Sequence, residues 1–166
     1  LMKMVQALVF KAGYREISLT SLSSGDYSLI EALAIKVNDL YKELGISISL
    51  PSLKIDSFTL DLLEKLSVVR KGSLTFAVET AQLDWQRKVN KIASTDKIIE
   101  ILREAKGKGW RNVKFYFMQG LPLGINKQEE EIQGIIDLLL EIQQSTGLKI
   151  NANLGTFIPK PHTPFQ

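Results

Sequence analysis

The sequence predicts an α/β fold in which parallel strands form a partial (β/α) barrel. Five segments rich in apolar and β-branched residues alternate with amphipathic helical segments. They recur at intervals of roughly 30 residues, the length of one strand–helix–strand repeat, and right-handed crossovers follow from that order. Five strands are too few for a closed eight-stranded barrel, so we expect an open, TIM-barrel-like arrangement. A doubly wound sheet with helices on both faces is the alternative.

The composition is that of a soluble globular protein. The 166 residues are 45% apolar and 23% charged, with a net charge of +3. No apolar run is long enough to span a bilayer and no secretory signal is visible, so we expect a cytoplasmic protein without membrane partners. The basic residues are scattered and do not support a nucleic-acid partner. Because the sequence has no cysteine, it holds no disulfide and no thiolate-bound metal.

The chain begins at Leu1 and ends at Gln166 without an evident start or stop. We therefore expect residues 1–166 to be a single partial-barrel domain that is truncated at both ends. The predicted strands are Glu16–Thr20, Ile46–Leu50, Ser73–Val78, Val113–Met118 and Leu148–Leu154. The predicted helices are Leu1–Lys11, Leu29–Leu44 with Gly45 after its end, Phe58–Leu66, Leu83–Val89, Asp96–Ala105 and Lys127–Ser145.

The strand Val113–Met118 is apolar on both faces, as expected for a buried parallel strand. The loop after it carries Gly120, Pro122 and Gly124, which allow a ligand to approach the backbone. Ligands of α/β folds lie at the carboxyl ends of the strands, so this loop is a candidate binding site. An ordinary strand-to-helix turn is an equally good interpretation of the same residues.

Other polar residues also follow predicted strands. Glu79 comes directly after an apolar strand, where it either forms part of a site or pairs with a nearby base; Arg87, Lys88 and Lys91 are the candidates. The run Ser21–Asp26 either offers hydroxyl groups to a ligand or caps the next helix. The acidic triad Glu129–Glu131 fits the positive end of a helix dipole and a solvated face.

Five segments together resemble the radical S-adenosylmethionine (SAM) superfamily, which has a (β/α)₆ partial barrel. They occur in the order and spacing of that family's strands two to six, and they cover nearly the whole chain. The first two are most similar to a branch that often carries a cobalamin-binding-like domain and is related to methylthiotransferases. The segments are EISLTSLSSGDY (16–27), SISLPSLKIDSF (47–58), LTFAVET (74–80), VKFYFMQGLP (113–122) and TFIPKPHTPFQ (156–166).

The resemblance implies a set of cofactor-binding residues. Residues after strand two would contact the methionine amino group, Glu79 the ribose and methionine, and Lys91 the methionine carboxylate. Residues Met118–Gly120 match the strand that would lie along adenine, and Phe157 and Ile158 match the last strand, whose backbone would read the adenine edge. The implied residues are Ser21, Ser23, Ser24, Glu79, Lys91, Met118, Gln119, Gly120, Phe157 and Ile158.

The sequence departs from the family pattern in three places. The family's three cysteines, which hold a [4Fe–4S] cluster, would lie before Leu1. Leu123 and Gly124 replace a Thr or Glu that usually follows Gly-Leu-Pro, which leaves the hydrogen bonds of that loop unassigned. Ala81-Gln82 replaces a small, glycine-bearing run.

The resemblance implies a parent protein that uses SAM and a [4Fe–4S] cluster to generate a 5′-deoxyadenosyl radical, which abstracts hydrogen from an unknown substrate. The fragment itself would be inactive and would bind no cofactor tightly. The alternative is a non-catalytic α/β nucleotide-binding or interaction module with a degenerate site. We also expect the fragment to self-associate through an exposed barrel edge.

Overall fold

A computed structural model describes residues 1–19, 27–49, 74–124 and 127–166. In these ranges helices and strands alternate as the sequence predicts, which confirms the α/β class. The strands are β1 (Glu16–Ser18), β2 (Ser47–Ser49), β3 (Leu74–Glu79), β4 (Asn112–Gln119) and β5 (Lys149–Thr156). The helices are α1 (Met2–Phe10), α2 (Ile30–Tyr41) with a 3₁₀ turn (Lys42–Leu44), α3 (Leu83–Lys88), α4 (Thr95–Gly107) and α5 (Gln128–Thr146). The predicted helix Phe58–Leu66 lies outside the described residues.

The strands are paired in parallel in two groups. β1 pairs with β2, and β4 lies between β3 and β5. Phe115 at the centre of β4 lies opposite Phe76 on one side and Ala152 on the other. Because all three strands run in one direction, their carboxyl ends lie along the same edge of the sheet.

Helices α4 and α5 cover one face of the three-stranded sheet. Phe76, Phe115 and Phe117 are fully buried there, with the rings of Phe76 and Phe115 stacked at 5.7 Å. The helices contribute Ile98, Leu102 and other apolar side chains to the same core. Burying a side chain of this size stabilises the fold by about 1.5–3 kcal/mol each, which makes this packing the main source of stability.

The opposite face of the sheet is more polar and more open. Register places Thr75, Lys114 and Asn151 in one row across the three strands, and Ala77, Tyr116 and Asn153 in the next. Tyr116, Asn151 and Asn153 are exposed. A doubly wound sheet buries both faces under helices, whereas a partial barrel leaves its inner face open, so this asymmetry fits the partial barrel.

Helix ends follow the sequence closely. Gly45 and Gly147 both adopt a left-handed conformation after their helices, with φ of 67° and 63°. The Ser94 hydroxyl accepts a hydrogen bond from the Lys97 N–H and caps α4. Within the described ranges, no helix combines the length and the apolar character that crossing a bilayer requires.

Self-association stays a prediction, and helix α1 gives it a structural basis. Met4 and Leu8 are exposed beside an apolar cavity of about 350 Å³ between α1, β1 and α2. We expect Met4→Glu to lower the apparent mass of the isolated chain in sedimentation velocity, because a charge on this surface opposes burial. Gln6→Glu adds the same charge at an exposed polar position of α1 and serves as the control. A strictly monomeric profile of the unsubstituted chain at high concentration would contradict the prediction.

Candidate functional site

The carboxyl ends of β3, β4 and β5 form one continuous rim. Glu79 ends β3, Gln119 ends β4, and Phe157 follows β5. The Phe157 N–H donates a hydrogen bond to the Gln119 carbonyl at 2.7 Å, so the last two strands remain joined at their ends. Glu79, Gln119 and Phe157 are far apart in sequence, yet they lie along one edge of the sheet.

Glu79 is held in a strained backbone conformation. A bulge interrupts the pairing of β3 with β4 between Ala77 and Glu79, and Glu79 itself has a φ of 70°. The Thr80 N–H donates to the Val78 carbonyl at 2.9 Å, which closes a three-residue γ-turn around Glu79. Such a conformation costs about 1–3 kcal/mol for a residue other than glycine and persists only where the surroundings enforce it. Bulges at strand ends re-aim side chains, and here the carboxylate is the side chain concerned.

The Glu79 carboxylate is paired with the Lys91 ammonium group. Lys91 Nζ lies 2.5 Å from Glu79 Oε1, and the side chains are 35% and 16% exposed. The interpretation that Glu79 pairs with a basic residue is therefore confirmed, with Lys91 as the partner, and its part in a binding site stays a prediction. The pair presents one acceptor and one cation side by side at the edge of the sheet.

The turn that ends helix α3 positions Lys91 next to Glu79. Asn90 adopts a left-handed conformation with a φ of 55°. The Lys91 N–H donates to the Gln86 carbonyl at 2.8 Å and the Asn90 N–H to the Arg87 carbonyl at 3.1 Å, the two bonds of a Schellman motif. Asparagine tolerates this conformation better than other residues with a side chain, which explains its use here.

The other two basic candidates do not reach Glu79. Arg87 forms an exposed ion pair with Asp84 at 3.3 Å, and the Lys88 ammonium lies 4.3 Å from the centre of the Trp85 ring. Their separate partners follow from helical geometry, because residues three apart on α3 share a face.

A cavity of about 110 Å³ opens beside the end of β4. Its lining combines the loop after β4 with the first turns of α5, and Gly120 in that loop has a φ of 83°. The loop is thus both a strand-to-helix turn and the wall of a small cavity. The lining residues are Met118, Gln119, Gly120, Leu123, Gln128, Glu131 and Ile132.

Glu131 does not match the interpretation of the acidic triad as a solvated face. It is 4% exposed, whereas Glu129 and Glu130 are exposed as expected. Its Oε1 accepts the Ala81 N–H at 3.0 Å, and its Oε2 is buried with no hydrogen-bond partner among the described residues. The prediction was wrong for Glu131 because the first turn of α5 faces the β3–α3 loop, a contact that spans 50 residues of sequence.

Gln86 is a second buried polar residue, and no sequence pattern singles it out. It is 4% exposed, its Nε2 donates to the Thr80 carbonyl at 2.9 Å, and its Oε1 accepts the Ala93 N–H at 3.0 Å. An amide side chain can satisfy one carbonyl and one N–H at once, which a hydrocarbon or a carboxylate cannot. A glutamine near the end of a short helix carries no signal of such contacts.

Of the remaining predicted residues, the structure describes Phe157 and Ile158. Ile158 is 71% exposed, while the ring of Phe157 packs against Phe165 at 5.6 Å and thus lies under the C-terminal segment. Phe165 also contacts Trp85 of α3, at 6.3 Å, so the end of the chain covers one side of the rim. Ser21, Ser23 and Ser24 lie outside the described residues.

The residues fit the two cofactors unequally. A zwitterionic amino acid group needs an acceptor and a cation close together, which Glu79 and Lys91 supply. A [4Fe–4S] cluster needs thiolates, and the sequence has no cysteine. Within the described ranges there is also no cluster of three or more His, Asp or Glu residues suited to a metal ion. This chain therefore provides a rim compatible with SAM but no ligands for the cluster.

Asn90 allows a direct test of how Lys91 is held. We expect Asn90→Ala to lower the free energy of unfolding by about 1 kcal/mol, because the added penalty of a left-handed alanine is paid only in the folded state. Asn90→Gly, which has no such penalty, should keep or raise stability. Chemical denaturation of the three proteins measures both values. Equal losses for alanine and glycine would show that the asparagine side chain, and not the backbone conformation, matters.

Comparison with known proteins agrees with this geometry. Residues 1–139 match the family model of the Radical SAM superfamily. The chain is 29% identical over 151 residues to uncharacterized protein MJ0966 of Methanocaldococcus jannaschii, a match that covers 91% of this chain and 32% of that protein. The chain thus spans about a third of the length of this relative.

Two solved structures share the fold. SuiB of Streptococcus suis bound to S-adenosylmethionine has a TM-score of 0.61 and 12% identity, over 97% of this chain and 34% of that one. A second SuiB structure has a TM-score of 0.59 and 13% identity, with the same coverage. The family match extends over most of the chain and includes β3, β4 and the loop between β4 and α5. The chain belongs to the radical SAM superfamily.

Proposed function

We propose that this chain forms the SAM-binding part of a radical SAM enzyme, and that Glu79 and Lys91 bind the methionine end of the cofactor. The observation that carries the proposal is the ion pair between these residues at the rim shared by β3, β4 and β5. Family membership supports SAM as the ligand. When bound and reduced by one electron, SAM supplies a 5′-deoxyadenosyl radical that abstracts hydrogen from a substrate.

The ion pair suits a zwitterion in both charge and spacing. A methionine ammonium can donate to the Glu79 carboxylate, while the methionine carboxylate accepts from the Lys91 ammonium. Charge-assisted hydrogen bonds of this kind are stronger than neutral ones, and partial burial reduces their screening by solvent. Because the two groups already lie side by side, a zwitterion can bind across them through the second carboxylate oxygen of Glu79 and the remaining N–H bonds of Lys91.

The adenosine end has a separate place along the same rim. The cavity beside Met118, Gln119 and Gly120 has both apolar and polar lining residues, among them Leu123, Ile132 and Gln128. Adenine binds well where an apolar slot offers backbone donors and acceptors at its edges. The hydrogen bond between the Gln119 carbonyl and the Phe157 N–H supports the proposal, because it joins the cavity to the strand end that the family resemblance assigns to the adenine edge.

The open inner face of the sheet provides room for a substrate. The rows Thr75–Lys114–Asn151 and Ala77–Tyr116–Asn153 lead up to the rim from below. Their polar side chains make no hydrogen bond to one another in the described residues, so they can bind a polar molecule. The substrate of this enzyme, and its cysteine-bound [4Fe–4S] cluster, belong to the full-length protein.

Binding of SAM tests the role of the ion pair. In isothermal titration calorimetry of the full-length protein under anaerobic conditions, we expect Lys91→Met and Glu79→Gln each to weaken SAM binding by about 10- to 100-fold, the loss expected for one charge-assisted hydrogen bond. Lys88→Met is the control, because it removes a lysine of the same helix that contacts Trp85 and not Glu79. Equal loss in the control would point to general charge and not to this pair.

Cluster assembly separates an enzyme from a binding module. After anaerobic iron–sulfur reconstitution, the isolated 166-residue chain should show no sulfur-to-iron charge-transfer absorption, because it has no cysteine. The full-length protein should show that absorption. A full-length protein that binds SAM but assembles no cluster would contradict the proposed chemistry and support the alternative, a nucleotide-binding module without radical activity.

A further inference from the structure

Gln86 joins the two chain segments that carry the ion pair. Its Nε2 donates to the carbonyl of Thr80, the residue after Glu79, and its Oε1 accepts from the N–H of Ala93, two residues after Lys91. Its own carbonyl accepts the Lys91 N–H at 2.8 Å. One residue therefore contacts the backbone on both sides of the Glu79–Lys91 pair.

Glu131 holds the same loop from the opposite side. Its Oε1 accepts the N–H of Ala81, two residues after Glu79, at 3.0 Å. Helix α5 lies close to this loop at Gly134. A Cβ atom added at Gly134 would be only 3.3 Å from the Ala81 Cβ. The loop between β3 and α3 is thus fixed by hydrogen bonds from two buried side chains on two different helices.

Burial increases the free-energy cost of losing these hydrogen bonds. Gln86 and Glu131 are each 4% exposed, and Thr80 between them is fully buried. A hydrogen bond in such surroundings cannot be replaced by water if one partner is removed, so its loss leaves an unsatisfied group. Gln86 uses both polar atoms of its amide in these contacts, whereas Glu131 uses only Oε1, because its buried Oε2 has no partner among the described residues.

We propose that Gln86 and Glu131 form a buried brace that sets the position of the Glu79–Lys91 pair and thereby the affinity for the methionine end of SAM. Both are positioning residues, since neither lies in contact with the ion pair through its side chain. The proposal rests on the proposed function. The γ-turn at Glu79 would relax without the brace, and the carboxylate would move relative to Lys91.

Loss of the brace should affect the binding of the amino acid end of SAM more than the binding of its adenosine end. The brace acts on Glu79 and Lys91, while the adenosine end of the ligand would depend on Met118, Gln119 and Gly120. Gln86 does not line the cavity proposed for adenosine, whereas Glu131 does. Loss of the Gln86 contacts should therefore weaken the binding of SAM and leave almost unchanged the binding of 5′-methylthioadenosine, which has the adenosine and sulfur but lacks the amino acid group. A residue that serves stability alone would affect both ligands alike.

Calorimetry with these two ligands on the full-length protein tests the brace. We expect Gln86→Met, which keeps the volume but makes neither hydrogen bond, to weaken SAM binding about tenfold and 5′-methylthioadenosine binding less than about twofold. Glu131→Leu should also weaken SAM binding, but because Glu131 lines the cavity proposed for the adenosine end, we expect it to weaken 5′-methylthioadenosine binding as well. Glu131→Gln keeps an acceptor for the Ala81 N–H and should restore SAM affinity to within about threefold of the unsubstituted protein.

The controls separate the possible failures. Gln133→Met removes an exposed glutamine from α5 and should change neither affinity. Equal losses for the two ligands with Gln86→Met, or no loss with this variant, would overturn the brace while leaving the proposed function intact. Absence of SAM binding by the unsubstituted protein would overturn both. If Gln86→Met does not fold, Gln86→Glu, which keeps an acceptor for the Ala93 N–H but loses the donor to the Thr80 carbonyl, takes its place in the same two-ligand comparison.

Discussion

The parallel pairing of β4 with both of its neighbours is the constraint on which the site depends. It brings the ends of three strands to one edge of the sheet. The backbone pairing alone therefore makes residues that are far apart in sequence neighbours, and no additional side-chain contact is needed. Coverage by α4 and α5 on one face fixes the sheet through its apolar side chains. The other face and the upper rim are then free to carry polar groups, since they contribute little to the core.

Strain at Glu79 is the second feature that organises the rim. A carboxylate at the end of a regular strand would point along the alternation of that strand, but the bulge and the γ-turn change its direction. The cost is local and is offset by hydrogen bonds around Thr80, which engage its carbonyl and its hydroxyl group. The proposed binding site offers one reason for keeping buried polar residues at a place where apolar ones would pack as well.

Much of this arrangement was accessible from the sequence. The five strands were predicted within about two residues of their ends, the range in which assignments of strand ends usually differ. Their repeat length also indicated parallel pairing. Glu79 could be selected because it directly follows an apolar strand, which is a local signal. Lys91 was one of three basic candidates, and only the family resemblance singled it out.

The residues that the sequence did not reveal are those defined by distant contacts. Glu131 stands beside two exposed glutamates in the same helical turn, and only its orientation toward Ala81 distinguishes it. A first-turn glutamate fits the helix dipole equally well in either role.

The two faces of the sheet divide stability from chemistry at the level of single residues. Phe115 and Tyr116 are adjacent in β4, yet one is fully buried beneath the helices and the other is exposed on the inner face. Alternation along a strand makes this division automatic, because successive side chains point to opposite sides. Changes on the inner face therefore alter what the rim and its approach can bind at little cost to the core, whereas changes on the covered face act through folding. A scaffold with this property can keep one cofactor site at its rim and vary the substrate below it.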